Sequence, residues 1–239
     1  MRVTAIVVAA GGGVRFRSRV SKPLAQLNAK AVIVYSLVEL NRHPLIKTIV
    51  VVANASNRRG IAAQIKRFSI NKVKDIVLGG RRRQDSVACG LKAVPGGTDF
   101  VLIHDAARPF IDRGIITRVI RGANKYGAAI TAVPVAATVK KVTRALFVKE
   151  TVQRSNLWEV QTPQVFNKDI LLEAFRRFGR ALVTDESMLV EKMGRRVSVV
   201  MGSYTNNKIT VPEDLIIAEA IGKAGSWGII NNLCKRESV

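Results

Sequence analysis

The sequence predicts an α/β protein built on a mostly parallel sheet, and three observations carry that expectation. Short β-favouring runs recur at 3–8, 48–53, 73–78 and 99–104, the first of them without the polar alternation of a strand that faces water on one side. Segments with helical apolar spacing separate them, as crossover connections between parallel strands require. Glycines followed by arginines come directly after the first and third runs, where open α/β sheets place ligand-binding loops.

Taken in order, residues 3–8 form the first strand and Ala9–Ala10 keep the chain slim where it leaves the sheet. Gly11, Gly12 and Gly13 permit positive φ and close approach of a ligand to backbone N–H groups, and Arg15, Arg17, Arg19 and Lys22 add four cations. The loop lacks the Gly-Lys-Ser/Thr of a Walker motif and the third glycine of a dinucleotide fingerprint. Residues 31–42 predict a helix stopped by His43-Pro44, with the histidine in a structural or solvated role. Helices are expected at 60–68 and 113–126, and a fifth strand at 128–135.

Residues 79–87, GGRRRQDSV, repeat the glycine-then-arginine logic, and Asp85 or Ser86 is placed to cap a helix starting near Val87. Asp105, immediately beyond the fourth strand, is the metal-ligand candidate because it sits at the carboxyl edge of the sheet. Residues 136–165 are β-favouring and interrupted by charges, which predicts an extended β-arm that packs on a second subunit. Short helices follow at 169–177 and 186–193, a strand at 196–201, and a helix at 212–222 opened by Pro212.

Length fits one core, and hydrophobic residues make up 48% of the 239. Two cysteines without ligand spacing indicate neither a disulfide framework nor a zinc site. With no long apolar run and no signal-like N-terminus, a cytoplasmic protein free of membrane association is expected. The formal charge of +22, from 39 Lys and Arg against 17 Asp and Glu, attracts polyanions. Aromatics are only 5%, and the basic residues are scattered along the chain, so a specific nucleic-acid partner is not expected.

In combination, AAGGGVR with Lys22, GGxxRQDSV at 79–87, HDAARPF at 104–110, VPVxxT at 133–138, RxxLWxxQTPQxF at 154–166, TDES at 184–187, and NNKIT with PED at 206–214 resemble the 2-C-methyl-D-erythritol 4-phosphate cytidylyltransferase family. The resemblance spans residues 3 to about 222. It implies a doubly wound, Rossmann-like nucleotidyltransferase fold in one domain covering 1–239, with a dimerisation arm at about 136–165. It also implies CTP and a polyol phosphate as substrates, Mg²⁺ as cofactor, a homodimer, and a place in non-mevalonate isoprenoid synthesis.

Residue by residue, it puts Ala10, Gly11, Gly13, Gly80 and Ser86 around the nucleotide, and Arg15, Lys22 and Lys208 in the catalytic set. Asp105 falls near the metal, and Arg108, Thr138 and Arg154 on the acceptor, the last two from the partner's arm. Ala137 stands where the family usually has Asp, Pro23 replaces Gln, Arg17 replaces Gly and Asn207 replaces an aliphatic residue. The missing carboxylate at 137 bears on acceptor choice and keeps a ribitol 5-phosphate or other polyol-phosphate cytidylyltransferase open as an alternative. A basic nucleic-acid-binding protein is the alternative of another class.

Overall fold

The computed structural model describes residues 1–12, 16 and 20–223. Its centre is a seven-stranded sheet in the order β11 (Ser198–Met201), β7 (Ala128–Pro134), β10 (Trp158–Asn167), β6 (Phe100–Asp105), β1 (Val3–Val8), β4 (Ile46–Ala53), β5 (Val73–Leu78). β1 (Val3–Val8) pairs in parallel with β4 (Ile46–Ala53) on one side and β6 (Phe100–Asp105) on the other, and β4 pairs in parallel with the edge strand β5 (Val73–Leu78). Two-residue strands, β2 (Gln26–Leu27) and β3 (Lys30–Ala31), make a separate ladder beside a single 3-10 turn at Lys22–Leu24.

Side-chain alternation on these strands feeds two cores. Val3, Ala5 and Val7 of β1 pack with α1 (Val32–Arg42), α2 (Arg58–Arg67) and α4 (Arg113–Tyr126). Ile6, Val101 and Ile103 face the opposite side, against α3 (Arg83–Lys92), α5 (Lys168–Phe178) and α6 (Ser187–Lys192). Covering both faces is what makes continuous apolar strands stable, so the doubly wound expectation holds. At Gly90 an added Cβ would lie 2.7 Å from Ile6 and 2.9 Å from Val52, so α3 sits directly on the sheet because this position has no side chain.

Helix ends follow their local chemistry. Asp112 Oδ1 accepts from the Ile115 N–H at 2.7 Å to open α4, and Gly127 closes it at φ 84°. His43 ends α1 as expected and is buried in a structural role, one ring nitrogen 3.0 Å from Thr117 Oγ1 and the other accepting from the Leu45 N–H.

Two expectations are corrected. The helix after the second glycine loop begins at Arg83, capped by the extended backbone of Arg82, so Asp85 and Ser86 lie inside its first turns. Asp85 is nonetheless bonded to the cap, accepting from the Arg82 N–H at 3.1 Å. The arm is shorter than 136–165. β8 (Val139–Val142) and β9 (Val148–Val152) form a hairpin paired only with itself, but β10 (Trp158–Asn167) enters the main sheet antiparallel to both β6 and β7 (Ala128–Pro134). β11 (Ser198–Met201) adds in parallel to β7, and α7 (Glu213–Lys223) follows.

Candidate active site at the reversal of strand order

From β1 the chain winds outward to β4 and β5, then returns through α3 to β6 on the other side of β1. The loops after β1 and β6 therefore part at the carboxyl edge, leaving the crevice that such a reversal creates. A cavity of about 390 Å³ lies there, lined by the loops after β1, β5 and β6 and by Lys208.

Ala10, Gly11, Lys22, Gly80, Ser86, Asp105 and Lys208 all line this cavity, so residues up to 198 positions apart in sequence converge as expected. Gly13 and Arg15 lie outside the described residues. Gly11 and Gly12 do not use the left-handed region. A Cβ at either would meet no atom within 4 Å, so bare backbone borders open space into which a ligand can approach closely. Below them, Asn57 Nδ2 donates to the Ala9 carbonyl at 2.9 Å and Asn54 Nδ2 to the Ala10 carbonyl at 3.3 Å. A Cβ on Gly79 would lie 2.5 Å from Ala10 Cβ and 2.6 Å from Ser86 Oγ, and its absence lets the two glycine loops close on each other.

Opposite the glycines runs a chain of alternating charge. Glu186 is fully buried and both its oxygens accept from Arg83 Nη1, at 2.7 and 2.8 Å. Arg83 Nε donates to Asp105 Oδ1 at 2.9 Å, and Lys208 Nζ donates to Asp105 Oδ2 at 2.6 Å. Burial acts to raise the Asp105 carboxyl, but Arg83 and Lys208 outweigh it and hold the group well below the usual carboxylate range. Burial alone would lower the Arg83 guanidinium; Asp105 and Glu186 reverse this and hold it above its ordinary value. For Glu186 the balance goes the other way, burial raising the carboxyl against the pull of Arg83.

Asp105 is also fixed through its backbone. Its N–H donates to Thr162 Oγ1 at 3.0 Å, and that hydroxyl lies 3.1 Å from His104 Nδ1, while His104 Nε2 lies 3.0 Å from the Arg108 carbonyl. Burial lowers the His104 pKa to about 4, so the imidazole is neutral near pH 7. A proton on Nε2 then donates to Arg108, and Nδ1 accepts from Thr162.

Three predicted residues do not line the cavity. Arg108 is buried, with Nη1 donating to the Asn206 carbonyl at 2.7 Å and Nε without a partner among the described residues. Thr138 and Arg154 are exposed and flank the base of the β8–β9 hairpin, where Val139 pairs with Val152. Sequence reasoning passed over Arg83 and Glu186 as individual site residues. The first stands in the sequence only as the arginine of GGxxRQDSV and the second only within TDES, and neither motif shows their pairing, which spans 103 positions.

Chemically, the site offers cations from several segments, backbone open to a ligand, and one carboxylate. Each Asp105 oxygen already accepts one cationic donor but keeps a further lone pair. The residues therefore fit a hard cation that takes most ligands from water and substrate phosphates, not a cage built from protein alone. Consistently, among the described residues no three His, Cys, Asp or Glu side chains cluster in a way that would hold a metal.

Comparison with known proteins agrees with this geometry. A profile of the 2-C-methyl-D-erythritol 4-phosphate cytidylyltransferase (IspD) family matches residues 3–223. The enzyme of that name from Clostridium botulinum strain Langeland is 44% identical over 218 residues, 90% of this chain and 95% of that protein. That from Syntrophus aciditrophicus is 42% identical over 229 residues, 93% and 96% of the two chains. Among solved structures, the 4-diphosphocytidyl-2C-methyl-D-erythritol synthase of Anaerococcus prevotii superposes with a TM-score of 0.82 at 30% identity, covering 93% of this chain and 96% of that one. The Thermus thermophilus cytidylyltransferase gives 0.76 at 29%, covering 93% and 100%. With its nucleotide-sized crevice and ordered motifs, the chain belongs to the 2-C-methyl-D-erythritol 4-phosphate cytidylyltransferase family.

Proposed function

We propose that this chain joins CTP to 2-C-methyl-D-erythritol 4-phosphate, giving 4-diphosphocytidyl-2-C-methyl-D-erythritol and pyrophosphate, as a cytoplasmic step of non-mevalonate isoprenoid synthesis. The observation that carries this reading is the crevice at the strand-order reversal, where Lys22, Lys208 and Asp105 surround two open glycines in a chain of that family.

A phosphate oxygen of the acceptor attacks the α-phosphorus of CTP in line, a new P–O bond forms, and the bond to the bridging oxygen breaks to release pyrophosphate. The acceptor monoester is largely ionised near neutral pH, so the site needs no general base. Its work is alignment and charge stabilisation. Gly11, Gly12 and Gly80 admit the nucleotide close to the backbone, with Ala10 and Ser86 bordering it. Lys22 and Lys208 hold phosphate oxygens, and the N-terminus of α3 adds to the field. Bound at Asp105, Mg²⁺ would neutralise charge on the triphosphate and polarise the α-phosphorus. Arg108 supplies a buried guanidinium, with one N–H unpartnered among the described residues, for the acceptor.

The reading further makes the protein a homodimer. The hairpin exposes Leu146 and Phe147 and buries little of its own surface, the signature of an element that packs on something else. Thr138 and Arg154 then complete the partner's site. Arg154→Ala chains mixed with Lys22→Ala chains should regain pyrophosphate release, because each mixed dimer has one undamaged site. If the two residues serve the same chain's site, no activity returns.

Pyrophosphate release with CTP and each candidate acceptor tests the reaction itself. Methylerythritol phosphate should give the highest kcat/KM. A higher value for ribitol 5-phosphate would transfer the assignment to the polyol-phosphate alternative, which Ala137 leaves room for.

A further inference from the structure

Part of the charge that looks scattered along the sequence is gathered in space. Residues 42–83 carry eleven Lys and Arg and a single acid, Asp75. This stretch builds one end of the molecule, from the end of α1 through β4 and α2 to the edge strand β5. Arg42, Lys47, Arg58, Arg59, Lys66, Arg67 and Lys74 are all exposed there. Cytidylyl transfer uses none of them.

Between α2 and β5 they form a groove. Arg58, Arg59, Ala62, Ile65 and Lys66 line one wall, and Val73, Lys74, Asp75 and Ile76 the other. Arg59, Ala62 and Lys66 share a helix face, and the two cations stand about 10 Å apart along the axis at 1.5 Å per residue. Among the described residues Arg58, Arg59, Lys66 and Lys74 have no ion-pair partner, and Asp75 is the one acid in the lining against these four cations. The small Ala62 between the cations leaves the floor open.

We infer that this groove binds the phosphodiester backbone of double-helical nucleic acid without regard to sequence. Rows of uncompensated Lys and Arg suit that polyanion, whose binding is driven by counterion release. An unpaired strand is less well matched, because no exposed aromatic side chain lines the groove to stack on bases. An anionic membrane is also less well matched, because α2 exposes no large apolar residue for insertion. The groove is separate from the nucleotide crevice, so duplex binding and pyrophosphate release are independent readouts.

The test is fluorescence anisotropy with a labelled duplex of about 20 base pairs, titrated at several salt concentrations. The purified protein is compared with Arg59→Ala/Lys66→Ala/Lys74→Ala and with a charge-matched control on α4, Arg113→Ala/Arg121→Ala/Lys125→Ala. The groove variant should bind at least about tenfold more weakly in low salt, with the slope of log K against log salt reduced by about 2 to 3. The control should change less than about twofold, and pyrophosphate release by both should match the parent. Equal weakening of both variants would reduce the effect to net charge and overturn the groove. Groove-dependent binding to vesicles containing phosphatidylserine, without duplex binding, would overturn the assignment of the partner.

Discussion

Replacing Glu186 by Gln removes one negative charge from a fully buried position while keeping the side chain's size. Both Glu186 oxygens accept from Arg83 at 2.7 and 2.8 Å; glutamine offers one acceptor and turns an N–H₂ toward the same guanidinium. Removing one partner of a buried pair costs about 3–5 kcal/mol, and the retained acceptor places this change near about 3 kcal/mol. For a chain of this size that corresponds to a fall in Tm of roughly 6–12 °C. Urea unfolding followed by circular dichroism at pH 7 measures it, with an unchanged m value showing that the native state stays compact. Turnover should fall as well, because an Arg83 freed from Glu186 can turn both donors onto Asp105 and compete with Lys208. Glu186→Asp, which keeps the charge but shortens the reach, should fall between the two. A loss below about 1 kcal/mol with unchanged turnover would refute the idea that Glu186 anchors the charged chain.

Acid stability should depend on the buried imidazoles. Burial, with Arg113 and Lys72 nearby, lowers the His43 pKa to about 4 from its ordinary 6.5. The unfolded chain then binds the extra proton between these values, so stability falls as pH drops from about 6.5 to about 4, by at most about 3 kcal/mol for this group. Glu39 and Glu186, raised by burial, act in the opposite direction above their ordinary 4.5, so the comparison must be differential. Unfolding free energy should fall more steeply through this window for the parent than for His43→Gln; parallel profiles would sink the assignment. Gly79→Ala should raise the KM for CTP and cost about 1–3 kcal/mol, because its Cβ meets Ala10 and Ser86 inside 2.7 Å. An unchanged KM would show that the two glycine loops do not need that contact.

Legibility in the sequence followed the range of the interactions. β1, β4 and β6 announce themselves because a strand covered on both faces must be largely apolar, and α4 because Asp112 and Gly127 mark its ends; β5, a half-exposed edge strand with Lys74 and Asp75 in it, shows only through its β-branched residues. The start of α3 was displaced because its cap is the backbone of Arg82, a residue without a capping side chain, while Asp85 does its work from within the first turn. β10 was assigned to the arm because its composition is β-favouring either way. Only pairing with β6 and β7, far off in sequence, distinguishes a sheet strand from a hairpin. The cavity-lining residues were accessible through glycine, charge and motif; the Glu186–Arg83–Asp105 connection was not, since no local pattern encodes an ion pair across 103 positions.

The insertion of β10 between β6 and β7 also sets where this chain can tolerate changes in length. The strand begins at Trp158, just past the base of the hairpin, and by Thr162 it is holding the Asp105 N–H. Residues added at the hairpin tip, 143–147, meet only exposed neighbours within their own chain and leave that register alone. One residue added within β10 ahead of Thr162 would send the following side chains to the opposite face and move the hydroxyl away from the acidic group. The tip can thus change length without moving this register and the strand cannot, so a length alignment of natural variants should show gaps nearer the tip and none between 158 and 162.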